Sequence, residues 1–266
     1  MENISLIISN MGSQRVEDAW KMYAFTHHQR LYYIKGGEGW YYDERGRKIA
    51  FEAGAVYLFP YNFPVAFDTN EADSMDHIFV DFLSTPPIIA SEPIIWHPHA
   101  DAPVVKLMLA LEQIHFMGEE FTYRGRRKIG YIAAAEHGSE TEKEQLLYNL
   151  MMTILNLLSY EQHIPFSGDK VVSDALEYIH NHYSEPLKVS ELASRAGFET
   201  NHFIRRFKAV MRQTPYAYLR AYRLMRAREM MDAGYSVANA AELVGYEHSC
   251  SLSHAMKDSR RSAKGW

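Results

Sequence analysis

Cysteine is almost absent from this 266-residue chain: Cys250 is the only one. No intrachain disulfide can form, so packing alone must hold the fold, which suits a reducing cytoplasm. No apolar run approaches the ~18 residues that a spanning helix needs, and no membrane partner is expected. The opening residues, MENISLIISNMGSQRVEDAW, lack a basic start followed by an apolar stretch and a small-residue cleavage site. A secretory leader is therefore not expected. No spacing suggests a nucleophilic triad or a phosphate-cradling glycine loop. Acidic residues are missing from one long stretch, Asn201 to Arg228, which holds eight Lys or Arg in a chain of net charge -5.

That charge is unevenly spread. Residues 169–266 carry 15 basic and 11 acidic side chains, against 13 and 22 in the remainder. The imbalance points to two modules, the C-terminal one suited to a polyanion, although solvated helix faces would also account for charge alone. Residues 1–100 hold short β-branched or aromatic runs (RLYYIKG, GWYYDE, AVYLFP, DHIFVDF) parted by GGEG, DERG and EAG. Such spacing predicts strands of a sandwich or barrel. From Pro103 the period becomes helical, with one stripe at Leu107, Leu111 and Ile114 and another at Leu147, Met151, Ile154 and Leu158. The stretch 119–140 between them has no period and reads as an irregular connection. Residues 164–168, rich in Pro, Gly and Ser, read as a linker between a 1–163 domain and a 169–266 domain.

Beyond Asp169 the pattern is helical and repeats. Leu192-Ala193, three residues, Gly197-Phe198 is echoed 48 residues later by Ala240-Ala241, three residues, Gly245-Tyr246. Ser190 and Ser236 are the expected N-caps of the first helices, and each glycine suits a sharp turn before a second helix. Ala193 and Ala241 would let the paired helices approach closely. This is a helix-turn-helix pattern in duplicate. Thr214 and Pro215 open a helix to about Asp232 that would space the two copies. Along it Leu219, Tyr222 and Leu224 should pack inward while Arg220, Arg223, Arg226 and Arg228 stay wet.

These residues, with Phe203, Phe207-Lys208, Tyr218-Leu219, Arg223-Leu224 and Ala227, resemble the DNA-binding domain of the AraC/XylS family of bacterial transcription regulators. The resemblance implies two helix-turn-helix units joined by a long helix, each unit placing its second helix in a major groove of double-stranded DNA. By matching position, Asn201, Ile204 and Arg205 would face bases in the first unit, and Ser249, Cys250, Ser253 and His254 in the second. Arg205 has the geometry to bond a guanine edge. Arg206, Lys208 and Arg212 suit phosphates, and Lys257 joins the DNA-binding set. The second copy departs from the family pattern: Ala240 stands for a bulky aliphatic residue, His254 for an arginine, and the chain ends SRRSAKGW. We therefore expect the first unit to dominate affinity.

The N-terminal half resembles the same family's cupin-type effector domain, through Arg30-Leu31, Ile34, Gly37-Glu38-Gly39, Gly54, Tyr57 to Pro60, and His77 to Phe82. The implied fold class is α+β multidomain: a cupin-like β-barrel with helices, then an all-α domain of two helix-turn-helix units. Metal-dependent cupins use His-x-His, Glu and a later His. Here those places hold Thr26 and His28, a turn at Asn62 and Val65, so no metal, no cofactor and no enzymatic activity are expected. His97 and His99 read as a surface loop. Alternation puts His77, Phe79 and Asp81 on one face of their strand. With Tyr32 and Trp40 they are the candidate ligand-binding residues for a small-molecule effector, for which a carbohydrate is the first choice. Structural histidine and ordinary aromatic packing are the plainer alternatives, as is a barrel that only dimerises. The helix at 142–160 corresponds to the family's dimer contact and implies a homodimer, unless it packs on its own barrel. RNA polymerase is a further candidate partner.

Overall fold

The computed structural model describes residues 4–15, 22–25, 28–43, 45–61, 63–70, 72–115, 142–232 and 234–262. The 119–140 connection, Thr26, Asn62 and the side chain of Val65 lie outside the described residues. So do residues 263–266 and the side chains of 259–262. The chain divides into two compact units, one of 6–83 with 90–165 and one of 166–266 with 1–5 and 84–89.

The first unit is built on two sheets. Strands β1 (Ser5–Arg15), β8 (Asp76–Thr85), β3 (Gln29–Gly36), β6 (Val56–Phe59) and β9 (Ile94–Trp96) lie in that order in one. The other runs β2 (Met22–Phe25), β7 (Pro64–Thr69), β4 (Gly39–Tyr42) and β5 (Lys48–Ala50). The β3–β8, β3–β6 and β4–β7 pairs are antiparallel. The inner faces of both sheets meet in one aromatic core of Tyr32, Tyr41, Phe51, Tyr57, Phe59, Phe63, Phe67 and Phe79. Rings there pack edge to face, Tyr32 against Phe67 at 5.6 Å and Tyr41 against Phe59 at 5.3 Å.

Helices α1 (Pro103–His115) and α2 (Glu142–Gln162) pack on each other in the same unit. Lys35 Nζ ties β3 to α1 through Glu112 at 3.0 Å, and also meets Asp76 at 3.1 Å. The α1 stripe is rotated from the expected one. Leu111 is shared, but Val104, Val105, Met108 and His115 complete the buried face, and Leu107 and Ile114 flank it. In α2 the expected stripe is buried, joined by Leu155. Its apolar side is thus used inside the unit, which removes Leu147, Met151, Ile154 and Leu158 as a free dimer face.

The second unit is helical. Helix α3 (Lys170–His182) precedes two helix pairs, α4 (Val189–Arg195) with α5 (Thr200–Met211) and α7 (Val237–Leu243) with α8 (Ser249–Ser262). Helix α6 (Pro215–Asp232) joins them, opened by Thr214 Oγ1, which accepts from Ala217 N at 3.2 Å. The segment 84–89 belongs with these helices: Ser167 N donates to Pro87 O at 2.9 Å.

Candidate nucleic-acid interface and inner core

The sequence repeat is a repeat of hydrogen bonds. At the end of α4, Gly197 has φ +73° and Phe198 N donates to Ala193 O at 2.9 Å. At the end of α7, Gly245 has φ +82° and Tyr246 N donates to Ala241 O at 2.9 Å. Each glycine follows the helix C-cap, Ala196 or Val244, in a left-handed conformation that glycine enters without strain, and each turn leads into the next helix. Ala193 and Ala241 are both buried at these crossings.

The caps differ between copies. Ser236 Oγ accepts from Asn239 N at 3.1 Å, as expected of an N-cap. Ser190 does not cap α4: the N-cap is Lys188, with no side-chain bond, and Ser190 sits in the first turn. The 48-residue offset that pairs Ala193 with Ala241 pairs Ser236 with Lys188, so the serines are not equivalent. On α5 the cap is Glu199, whose carboxylate accepts from His202 N at 3.1 Å. Backbone hydrogen bonds from Asn201 and His202 hold its pKa below the ordinary carboxylate value.

Helix α5 buries Phe203, Phe207 and Met211 and exposes Asn201, Arg205 and Lys208; Ile204 is half-buried. Arg212 is exposed at the helix C-cap with φ +55°. On α8, Ser249, Cys250, His254 and Lys257 are exposed, Ser253 is half-buried, and Leu252 and Ala255 turn inward. Ala240 is fully buried among Leu224, Ala227, Ala241, Val244, Leu252 and Ala255. Small residues therefore dominate this core, where the first pair has two phenylalanines.

Three arginines depart from expectation. Arg206 is paired with Asp169 at 2.8 Å rather than standing free for phosphates. Arg226 is 6% exposed and bonded to buried Glu229 at 2.8 Å, so it is not wet. One turn of helix separates the two residues, and each gives the other its countercharge. Arg223 reaches back to Tyr183 O and Glu185 O at 2.6 Å each. It clamps the α3–α4 loop to α6. Arg220 is partly exposed beside Asp258, and Arg228 is exposed. His180 is also built into this unit, Nε2 2.6 Å from Tyr218 Oη and its ring stacked on Tyr222 at 4.7 Å. Burial, then the Arg226 charge, pushes its pKa down to about 3.

In the first unit the β3–β8 register places Arg30 opposite Asp81, Tyr32 opposite Phe79 and Ile34 opposite His77. His77, Phe79, Asp81 and Tyr32 are therefore brought together as alternation predicted. The Tyr32 and His77 rings lie 5.0 Å apart. Trp40 is not with them. On β4 it is Tyr41 that turns into the core, while Trp40 is half-buried under Lys48, whose Nζ is 3.6 Å from the ring centroid.

Arg30 is the residue that sequence reasoning missed. Buried between the rings of Tyr32, Phe67 and Phe79, it donates to both Asp81 carboxylate oxygens at 2.5 and 2.6 Å and to Tyr32 Oη at 3.1 Å. His28 Nε2 lies 3.1 Å from the same carboxylate. Burial opposes the Asp81 charge, but Arg30 and His28 more than reverse this and hold the carboxyl well below its usual range. Burial, then the Arg30 charge, pushes His77 down to about 3, so it is neutral. Among the described residues no group of three His, Cys, Asp or Glu is placed to hold a metal. His97 and His99 are exposed, as expected of a loop, and His97 pairs with Glu52 at 3.0 Å. Among the described residues no helix is long and apolar enough to cross a membrane.

Known proteins place this arrangement. Residues 192–261 match the model of a helix-turn-helix domain family. A Streptomyces antibioticus protein classed as an AraC-like transcription regulator is 36% identical over 91 residues, 34% of this chain and 30% of that protein. The HTH-type transcriptional regulator AlkR of Acinetobacter baylyi is 24% identical over 170 residues, 60% of this chain and 56% of that protein. The chain thus spans between 30% and 56% of the length of these relatives. In fold it is similar to ToxT of Vibrio cholerae, solved with an unsaturated fatty acid bound, at a TM-score of 0.59 and 10% identity over 97% of this chain and 94% of that one. The chain therefore carries a helix-turn-helix domain that is similar in sequence to those of AraC-like regulators, and its fold is similar to that of ToxT.

Proposed function

We propose that this chain is a transcription regulator that binds double-stranded DNA through α5 and α8. The observation that carries the reading is the duplicated helix pair itself. Each copy exposes polar and basic side chains on its second helix, Asn201, Arg205 and Lys208 in one and Ser249, Cys250, His254 and Lys257 in the other. Arg205 is the strongest base reader of the set, since a guanidinium can bond two acceptors of guanine at once. Duplexes selected from a random pool, followed by fluorescence anisotropy, provide the test. Arg205→Ala should weaken the selected site by about 1–3 kcal/mol and flatten the base preference, more than His254→Ala does. Intact binding by Arg205→Ala together with loss in His254→Ala would refute the dominance of the first unit.

The sheet unit is read as the effector domain. A carbohydrate was the first choice because the chain holds 18 Tyr and four Trp, whose faces stack on sugars. Trp40 faces out, and the Asp81 carboxylate is engaged by Arg30. The aromatic core better suits an apolar molecule, whose anionic group would have to take the place of Asp81 on Arg30, and the fatty acid in the ToxT structure is of that class. Thermal-shift panels of sugars and of medium and long carboxylic acids separate the two; stabilisation by a sugar alone would sink the anionic reading. A homodimer would use the outward heptad of α2, Leu146, Asn149, Thr153, Asn156 and Tyr160, because the inward one is occupied. Leu146→Glu with Tyr160→Glu should then give monomers in sedimentation, and unchanged mass would exclude that face.

A further inference from the structure

Helix α5 carries one arginine that is already engaged. Arg206 Nε lies 2.8 and 3.1 Å from the two carboxylate oxygens of Asp169, and its guanidinium sits 5.4 Å from the centre of the Phe198 ring. Asp169 is held in turn. As the N-cap of α3 it accepts from Val172 N at 3.1 Å, and its own N–H donates to Ser167 Oγ at 3.1 Å. Ser167 is buried and donates to Pro87 O. The carboxylate is thus fixed by the helix start and the linker before it meets the arginine, and the arginine is fixed by a ring and a carboxylate.

The cost to DNA binding is electrostatic. Each basic side chain that reaches a phosphate adds to affinity through released counterions. Asp169 removes one cation from that role and sets an anion beside the basic helix. We propose that Asp169 sets the DNA affinity of α5 by holding Arg206 off the phosphate backbone. The pair is partly exposed, with side chains 38% and 18% accessible, so Arg206 is within reach of solvent and free to meet a phosphate once the carboxylate is gone. Arg206 in the intact chain is a positioning residue, orienting α5 against the start of α3. This rests on the reading of α5 as a DNA-binding helix.

The test uses the full chain and a short random-sequence duplex, because a phosphate contact is blind to sequence. Asp169→Ser and Asp169→Asn keep a side chain able to cap α3 while removing the charge. We expect both to bind roughly fivefold tighter at low salt. The slope of log affinity against log salt should steepen by about 0.9. Arg206→Gln alone should keep the salt slope of the intact chain, any loss of affinity coming from the lost orientation of α5 and the bared Asp169 charge. Adding Arg206→Gln to Asp169→Ser should return the slope to that of the intact chain. Weaker binding with a shallower slope for Arg206→Gln would overturn the proposal, showing that Arg206 already touches phosphate. An unchanged slope in both Asp169 variants would overturn it as well. Failure of the intact chain to bind any duplex at low salt would instead refute the DNA-binding function.

Discussion

Replacing Gly245 by alanine should damage the helical unit far more than the same change at Gly197, although the two glycines hold equivalent places in the repeat. Both have positive φ, +82° and +73°, so an alanine at either costs about 1–2 kcal/mol of backbone strain. Space separates them. A Cβ on Gly197 meets nothing within 4 Å, whereas one on Gly245 would stand 2.5 Å from Ser184 O, 2.9 Å from Ser184 C and 3.0 Å from Arg223 Nη2. A backbone oxygen cannot swing aside as a side chain can. The α3–α4 loop would have to retreat, and with it the carbonyls of Tyr183 and Glu185 that hold Arg223 at 2.6 Å. Overpacking of this kind adds about 1–3 kcal/mol. Since ~1 kcal/mol moves the midpoint of a domain this size by about 4–8 °C, Gly197→Ala should cost roughly that, and Gly245→Ala about twice as much or more. Circular dichroism at a helical wavelength during thermal unfolding measures both. Equal losses would refute the reasoning, because they would show that the loop yields freely and that only φ matters.

The outline of the molecule was legible in the sequence because its strongest signals are local. The β3 and β8 runs, the α2 stripe and the two small-residue-then-glycine turns each announce themselves within a few residues. What failed needed information from farther away. Arg30 and Asp81 stand 51 residues apart, and only the β3–β8 register makes them partners. Trp40 was misassigned because β4 reads Gly-Trp-Tyr-Tyr, aromatic on both faces, so alternation gives no phase. Strand β1 carries Asn10, Gly12 and Ser13 among its apolar residues and has no clean alternation to find. Basic composition marked α5 and α6 as a unit but was blind to which arginines are spoken for. Arg206 is held from 37 residues away and Arg223 from about as far. Ser190 is the one error the sequence could have corrected, since the repeat offset pairs Ser236 with Lys188.

Two further outcomes follow from buried ionisable groups. His180 is neutral when folded, its pKa pushed down to about 3 from 6.5, so the unfolded chain binds a proton that the folded one refuses. Its share of stability is complete above pH ~6.5 and is lost as pH falls toward 3, at about 1.4 kcal/mol per unit. Urea unfolding followed through the helical signal between pH 6.5 and 5, before most carboxylates titrate, should show this slope in the intact chain and lose it in His180→Gln. An identical slope in the variant would assign the effect elsewhere. Arg226 and Glu229 give the second outcome, and here the sign of the double variant decides. Both are nearly inaccessible, 6% and 3% exposed, and they lie within one turn of α6. Removing one charge strands the other in a poorly solvated place, so Arg226→Met should cost about 3–5 kcal/mol. Removing both leaves no stranded charge, and Arg226→Met with Glu229→Leu should recover most of the loss, because the apolar pair fills similar volume beside Tyr183. If the double variant were as unstable as the single one, the arginine would be holding α6 by packing on the Tyr183 ring rather than by its countercharge.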